Sequence, residues 1–176
     1  MNMVQDLAAR TLLVILVAAV VQDFMYMKIS NRLILMGILF SLAFGFMTGG
    51  LRQVLYVLVN ISFPVFVLYL FYLLGVIGAG DIKLFSIIGG FTNFKLLTGC
   101  MFYSFVAAAV IAVGKMLYNR NLRISVFKAG IFFRSIPREG LVSYHKEWAE
   151  RRNLMHFSVP ILIGYMVAVL HWKLYR

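Results

Sequence analysis

Six apolar runs, at about 7–21, 33–48, 54–77, 82–91, 96–117 and 156–172, occupy most of the chain and leave little polar sequence between them. A helix that is apolar on every side must be covered by lipid or by other protein, because water cannot solvate it. With 62% hydrophobic and 13% charged residues in 176, against about 25% charged in an ordinary soluble domain, a water-soluble globule could not cover itself. The runs therefore predict an all-α, polytopic membrane protein built as a single membrane-embedded domain over residues 1–176, with a long loop at 118–155.

About 20 apolar residues span the hydrocarbon layer. The first run extends through Asp23 to Met27 and reaches that length, with Asp6 ahead of it and no small-residue cleavage pattern behind, so it reads as a retained helix. The fourth, Ile82 to Phe91, is short and would have to tilt, lie shallow or thin the bilayer.

Basic residues favour the cytoplasmic side in short loops. With six crossings and both termini outside, one side collects Lys28, Arg32, Lys83, Lys115 and the eight basic residues of the 118–155 segment, which is 12 of the 17 Lys and Arg. Omitting the fourth crossing would place that basic segment outside. Six transmembrane helices, the fourth short, are thus the expected count. The 118–155 segment interleaves Arg123, Lys128 and Arg134 with Phe127, Ile131, Phe132 and Phe133, which suits an interfacial helix on the inner leaflet.

The net charge of +11 lies in the connections between apolar runs. That distribution fits membrane lipids, not nucleic acid, whose phosphates need an accessible basic face. Cys100 is the single cysteine, which excludes an internal disulfide, and His145, His156 and His171 have no ligand spacing, so no metal or other cofactor is expected.

Of six acids, Asp6 is near the N-terminus, Glu139, Glu147 and Glu150 lie in the basic loop, and only Asp23 and Asp81 border apolar runs inside the bundle. An ionisable group there costs free energy, about 2.5 to 3.5 kcal/mol at a helix centre, and calls for a function. Taken singly, each could be an interfacial marker, with Asp81 capping a helix and Asp23 pairing with Lys28 or Lys83. The topology puts both on the cytoplasmic face. Asp81 follows Gly78, Ala79 and Gly80, and those glycines allow close backbone approach, although small residues also serve plain helix packing. Lys83 could orient the pair or anchor the membrane surface, and Asn31 reads as a helix N-cap or a substrate contact.

The run Gly78-Ala79-Gly80-Asp81-Ile82-Lys83-Leu84 resembles the Gly-x-Gly-Asp-x-Lys-Leu signature of the type IV prepilin peptidases. Asp23 with Lys28-Ile29-Ser30-Asn31-Arg32-Leu33 resembles that family's first aspartate and its trailing segment, with Ser30 where proline is usual. His156-Phe157-Ser158-Val159-Pro160, with Gly164, is similar to its closing helix.

The resemblance implies a membrane aspartyl endopeptidase that removes a basic leader from prepilin-like precursors at the cytoplasmic face of the inner membrane, with Asp23 and Asp81 catalytic. Gly78, Gly80, Lys83 and Asn31 would support them. Longer members carry a cysteine-paired segment tied to N-methylation, which this chain lacks, so it is similar to the peptidase-only branch of tight-adherence pilus systems and, in general plan, to archaeal preflagellin peptidases. Helix ends alone favour Asp81 as base, at a helix start, and Asp23 as acid, near a helix end. An ion- or proton-coupled transporter would use the same two acids. A metal-dependent enzyme lacks further ligands, and an inert scaffold would tolerate loss of both.

Overall fold

The computed structural model describes residues 3–74, 77–118 and 157–174. The chain divides into two compact units, residues 1–107 with 156–176 and residues 108–155. The described residues belong to the first, apart from the end of one helix at residues 108–118. Among the described residues the structure is entirely helical, as the apolar runs predict. The interfacial helix expected within 118–155 lies outside the described residues.

The helices are α1 (Met3–Tyr26), α2 (Asn31–Leu73), α3 (Ala79–Phe91), α4 (Phe94–Tyr118) and α5 (Ser158–Leu174). Three of them, α1, α2 and α4, are long and apolar enough to cross a membrane, and many of their large apolar side chains, such as Val14, Phe66 and Phe102, are exposed. In lipid that exposure carries no hydrophobic penalty.

The second and third apolar runs form one helical element with a break at Gly49 and Gly50. Gly50 has φ +61° and ψ −149°, a region open in practice to glycine alone. The two limbs fold back on each other at this break. A Cβ on Gly45 would stand 3.0 Å from Val57, whereas twelve residues of straight helix would separate them by about 18 Å.

α1 ends on a left-handed residue, Met27, with φ +51°. Its N–H donates to the carbonyl of Asp23 at 2.9 Å, the bond that closes a helix with a left-handed cap. Asp23 thus sits inside the last turn of α1, as the extended reading of the first run requires. Ser30 then starts α2, its hydroxyl accepting from the Arg32 N–H at 3.3 Å.

The short fourth run is enclosed by the rest of the protein. α3 has 13 residues, about 20 Å of helix, and residues 84–90 are all buried. Seven consecutive buried positions cover every face of a helix, so protein surrounds it. It packs chiefly on α2 and also touches α1 and α5.

Glycines permit that enclosure. A Cβ on Gly90 would stand 2.5 Å from Ser41 Oγ on the first limb of α2 and 3.3 Å from Ile61 on the second, and one on Gly37 would meet Ile87 at 3.1 Å. Gly89 lies against the backbone carbonyl of Asn60. Pro64, one turn on, has no N–H to offer that carbonyl. Asn60 also donates through Nδ2 to the Thr92 carbonyl at 3.1 Å, tying down the C-terminal end of α3.

Three outcomes follow, all measured by unfolding in detergent. Gly50→Ala is expected to lower stability by about 1–3 kcal/mol through backbone strain alone, since nothing lies within 4 Å of its added Cβ. Gly164→Ala is expected to destabilise, because its Cβ would come within 2.5 Å of the Ser104 backbone nitrogen on α4. Gly99→Ala, where nothing lies within 4 Å, should be neutral or gain up to about 1 kcal/mol from helix propensity.

Candidate active site

The polar groups singled out in the sequence gather where the C-terminal end of α1 and the N-terminal ends of α2, α3 and α5 come together. Asp81 stands third in α3, behind the N-cap Gly78, and its backbone N–H donates to the Gly78 carbonyl at 3.1 Å. A Cβ on Gly78 would stand 3.2 Å from Asp81 Oδ2, a tight contact that the carboxylate would have to shift to relieve. Gly80 is not crowded in the same way: a Cβ there would make an ordinary contact of 3.4 Å with Ile29, in the connection between α1 and α2.

Asp23 approaches from α1. The two half-buried carboxylates are close enough for each charge to act on the other, although 57 residues of sequence separate them. Asp23 Oδ2 also accepts a hydrogen bond of 2.5 Å from the hydroxyl of Ser158, the first residue of α5.

The supporting residues are arranged differently from the simplest expectation. Ser30, not Asn31, caps α2, because its backbone is extended (φ −64°, ψ 131°) and its hydroxyl takes the Arg32 N–H. Asn31, one position inside the helix, instead accepts through Oδ1 from Lys83 Nζ at 2.8 Å. That bond ties the start of α2 to the first turn of α3. On the other side of the connection, Gln22 Oε1 accepts the Ser30 backbone N–H at 3.0 Å, joining the end of α1 to the start of α2.

Ser158 and Gln22 carry no role in the sequence reading, yet both touch the cluster. A periodic signal for Ser158 exists. Leu12, Ile15, Leu16 and Ala19 make the buried stripe of α1, and Asp23 continues it four residues later. Ser158 heads the corresponding stripe of α5, with Ile161, Tyr165 and Ala168.

The arrangement is that of a helical, membrane-embedded protein with two acids brought together from separate helices and held by polar contacts at helix ends. The sequence model of the type IV leader peptidase family matches residues 11–113, which covers most of α1, all of α2 and α3 and most of α4, including both aspartates. The chain belongs to the type IV leader peptidase family. No curated protein and no solved structure matches it.

A double-mutant cycle on Asn31→Ala and Lys83→Met, read by unfolding in detergent, is expected to give a coupling of about 1 kcal/mol. Strictly additive effects would show that this bond contributes nothing to joining α2 and α3.

Proposed function

We propose that the protein is an aspartyl endopeptidase of the cytoplasmic membrane, in which Asp23 and Asp81 activate water to cleave the basic leader from type IV prepilin-like precursors. The observation that carries this reading is the approach of the Asp23 and Asp81 carboxylates from α1 and α3 in a chain of the leader peptidase family. Family membership favours hydrolysis over ion transport by the same acids.

Two neighbouring carboxyls can hydrolyse an amide without a metal. Like charges held together resist double ionisation, so the pair tends to carry one proton. The ionised member takes a proton from water as the water oxygen bonds to the scissile carbonyl carbon. The protonated member gives its proton to the carbonyl oxygen. Collapse of the tetrahedral intermediate then breaks the carbon–nitrogen bond, with a proton passing to the departing amine and the carboxyl pair restored.

Helix ends alone favour Asp81 as the base. Asp23, however, contacts the first residue of α5, so each carboxylate meets the start of a helix and the dipole argument no longer separates them. The proton is best assigned to the pair.

The substrate reading follows from depth. A precursor with an apolar helix embedded in the membrane would present its leader boundary near the helix ends where Asp23 and Asp81 gather. The six-crossing arrangement, with α3 as the short fourth helix and both limbs of α2 counted, would put this cluster on the cytoplasmic side together with Lys28, Arg32 and Lys83. The proposed partners are thus a prepilin-like precursor and the surrounding lipids, without methyl transfer.

Co-expression with a prepilin-like precursor tests the reading by following leader release on a gel. Asp23→Asn and Asp81→Asn are each expected to abolish processing while helicity by circular dichroism is retained. Full processing by either variant would sink the two-aspartate mechanism. Gly78→Ala, whose methyl would crowd Asp81 Oδ2, is expected to slow cleavage by roughly tenfold to a hundredfold, the scale of a small misplacement of a reacting group.

A further inference from the structure

Ser158 is almost wholly buried, with 1% of its surface exposed, and it treats its hydroxyl unlike other hydroxyls of this protein. Thr11, Ser62, Ser86, Thr98 and Ser104 each donate to a carbonyl one turn back in their own helix. That local bond is the usual way to accommodate a hydroxyl on a helix in apolar surroundings. Ser158, as the first residue of α5, has no carbonyl of that helix one turn behind it. Its proton goes to Asp23 Oδ2 on α1 instead.

The contact is held from both sides. Ser158, Ile161, Tyr165 and Ala168 recur at helical spacing on the buried side of α5, and α5 packs on α1 and α3. Phe157, the residue before Ser158, has its ring 6.5 Å from that of Phe85 on α3 and 5.9 Å from that of Phe105 on α4. The start of α5 is therefore fixed independently of the Asp23 contact, which gives Ser158 a rigid base from which to hold the carboxylate.

An aspartate needs such a partner if its orientation matters. The terminal torsion of the side chain is broad, so packing alone does not select which carboxylate oxygen faces a reactant. A donor on one oxygen does select it. We infer that Ser158 is a positioning residue for peptide cleavage, its hydroxyl holding the Asp23 carboxylate through Oδ2 in one orientation toward the reacting groups. This rests on the two-aspartate reading above and adds to it a third side chain, from the far end of the sequence.

The test is steady-state cleavage of a prepilin-like precursor by the full-length protein in detergent, with thermal unfolding run on every variant. Ser158→Ala is expected to lower kcat by roughly tenfold to a hundredfold, with KM changed by less than about twofold and the thermal midpoint close to wild type. Ser158→Thr, which keeps the hydroxyl, is expected to recover most of kcat. Wild-type kcat in Ser158→Ala overturns the inference, and so does a Thr variant that folds normally but is as slow as the Ala variant. If the added methyl of Thr unfolds the protein, the Ala variant decides by itself: a loss carried by KM, or by the thermal midpoint, assigns Ser158 to packing.

Asp23→Asn and Asp81→Asn run alongside. Activity in either means the two-aspartate reading has failed. Inactivity in both, with full activity in Ser158→Ala, removes only the role of Ser158.

Discussion

The enclosure of α3 is the constraint on which the rest of the described structure depends. A helix of about 20 Å is shorter than the about 30 Å of hydrocarbon, and so apolar a helix cannot be left in water. The chain resolves both demands by surrounding α3 with its own longer helices. Enclosure of that kind needs backbones to approach closely, and Gly37, Gly89 and Gly90 supply the room. The fold-back of α2 at Gly49 and Gly50 supplies the walls, since Ser41 on one limb and Ile61 on the other both meet Gly90.

Burying α3 also places its polar first turn. Asp81 and Lys83 cannot retreat to a distant surface, because the residues that follow them are locked among α1, α2 and α5. Lys83 instead donates to the Asn31 amide oxygen, and Asp81 is held at the cap of α3 behind Gly78. Asp23 and Ser158 complete the cluster from opposite ends of the sequence. Polar groups in an apolar surround are costly when unmatched, so these contacts serve stability first. They also leave two carboxylates held by rigid helix ends, the condition that precise proton transfer requires.

Two positions show a local rule giving way to tertiary context. Asn31 is a good cap by residue type, but Ser30 takes that place because its backbone is extended and its hydroxyl reaches the Arg32 N–H. Asn31 is then free to receive Lys83. The helix-end argument for unlike aspartates likewise considers only the helix that carries each residue. Once α5 starts at Asp23, a third helix enters the balance, and no pattern local to Asp23 signals its arrival.

The sequence by itself determined the helical class, the apolar segments and the two acids worth attention. Apolar runs of this length admit few alternatives, and a carboxylate beside such a run needs a reason. The gap between the second and third runs marked where the chain turns, while it is the structure that assigns that turn to Gly49 and Gly50. Only the tertiary structure decided that the short fourth run is a buried centre, that Lys83 belongs to Asn31 and that Ser158 belongs to Asp23. Those are contacts between segments tens of residues apart, and side-chain chemistry alone does not say which of several compatible partners will be brought within hydrogen-bond distance.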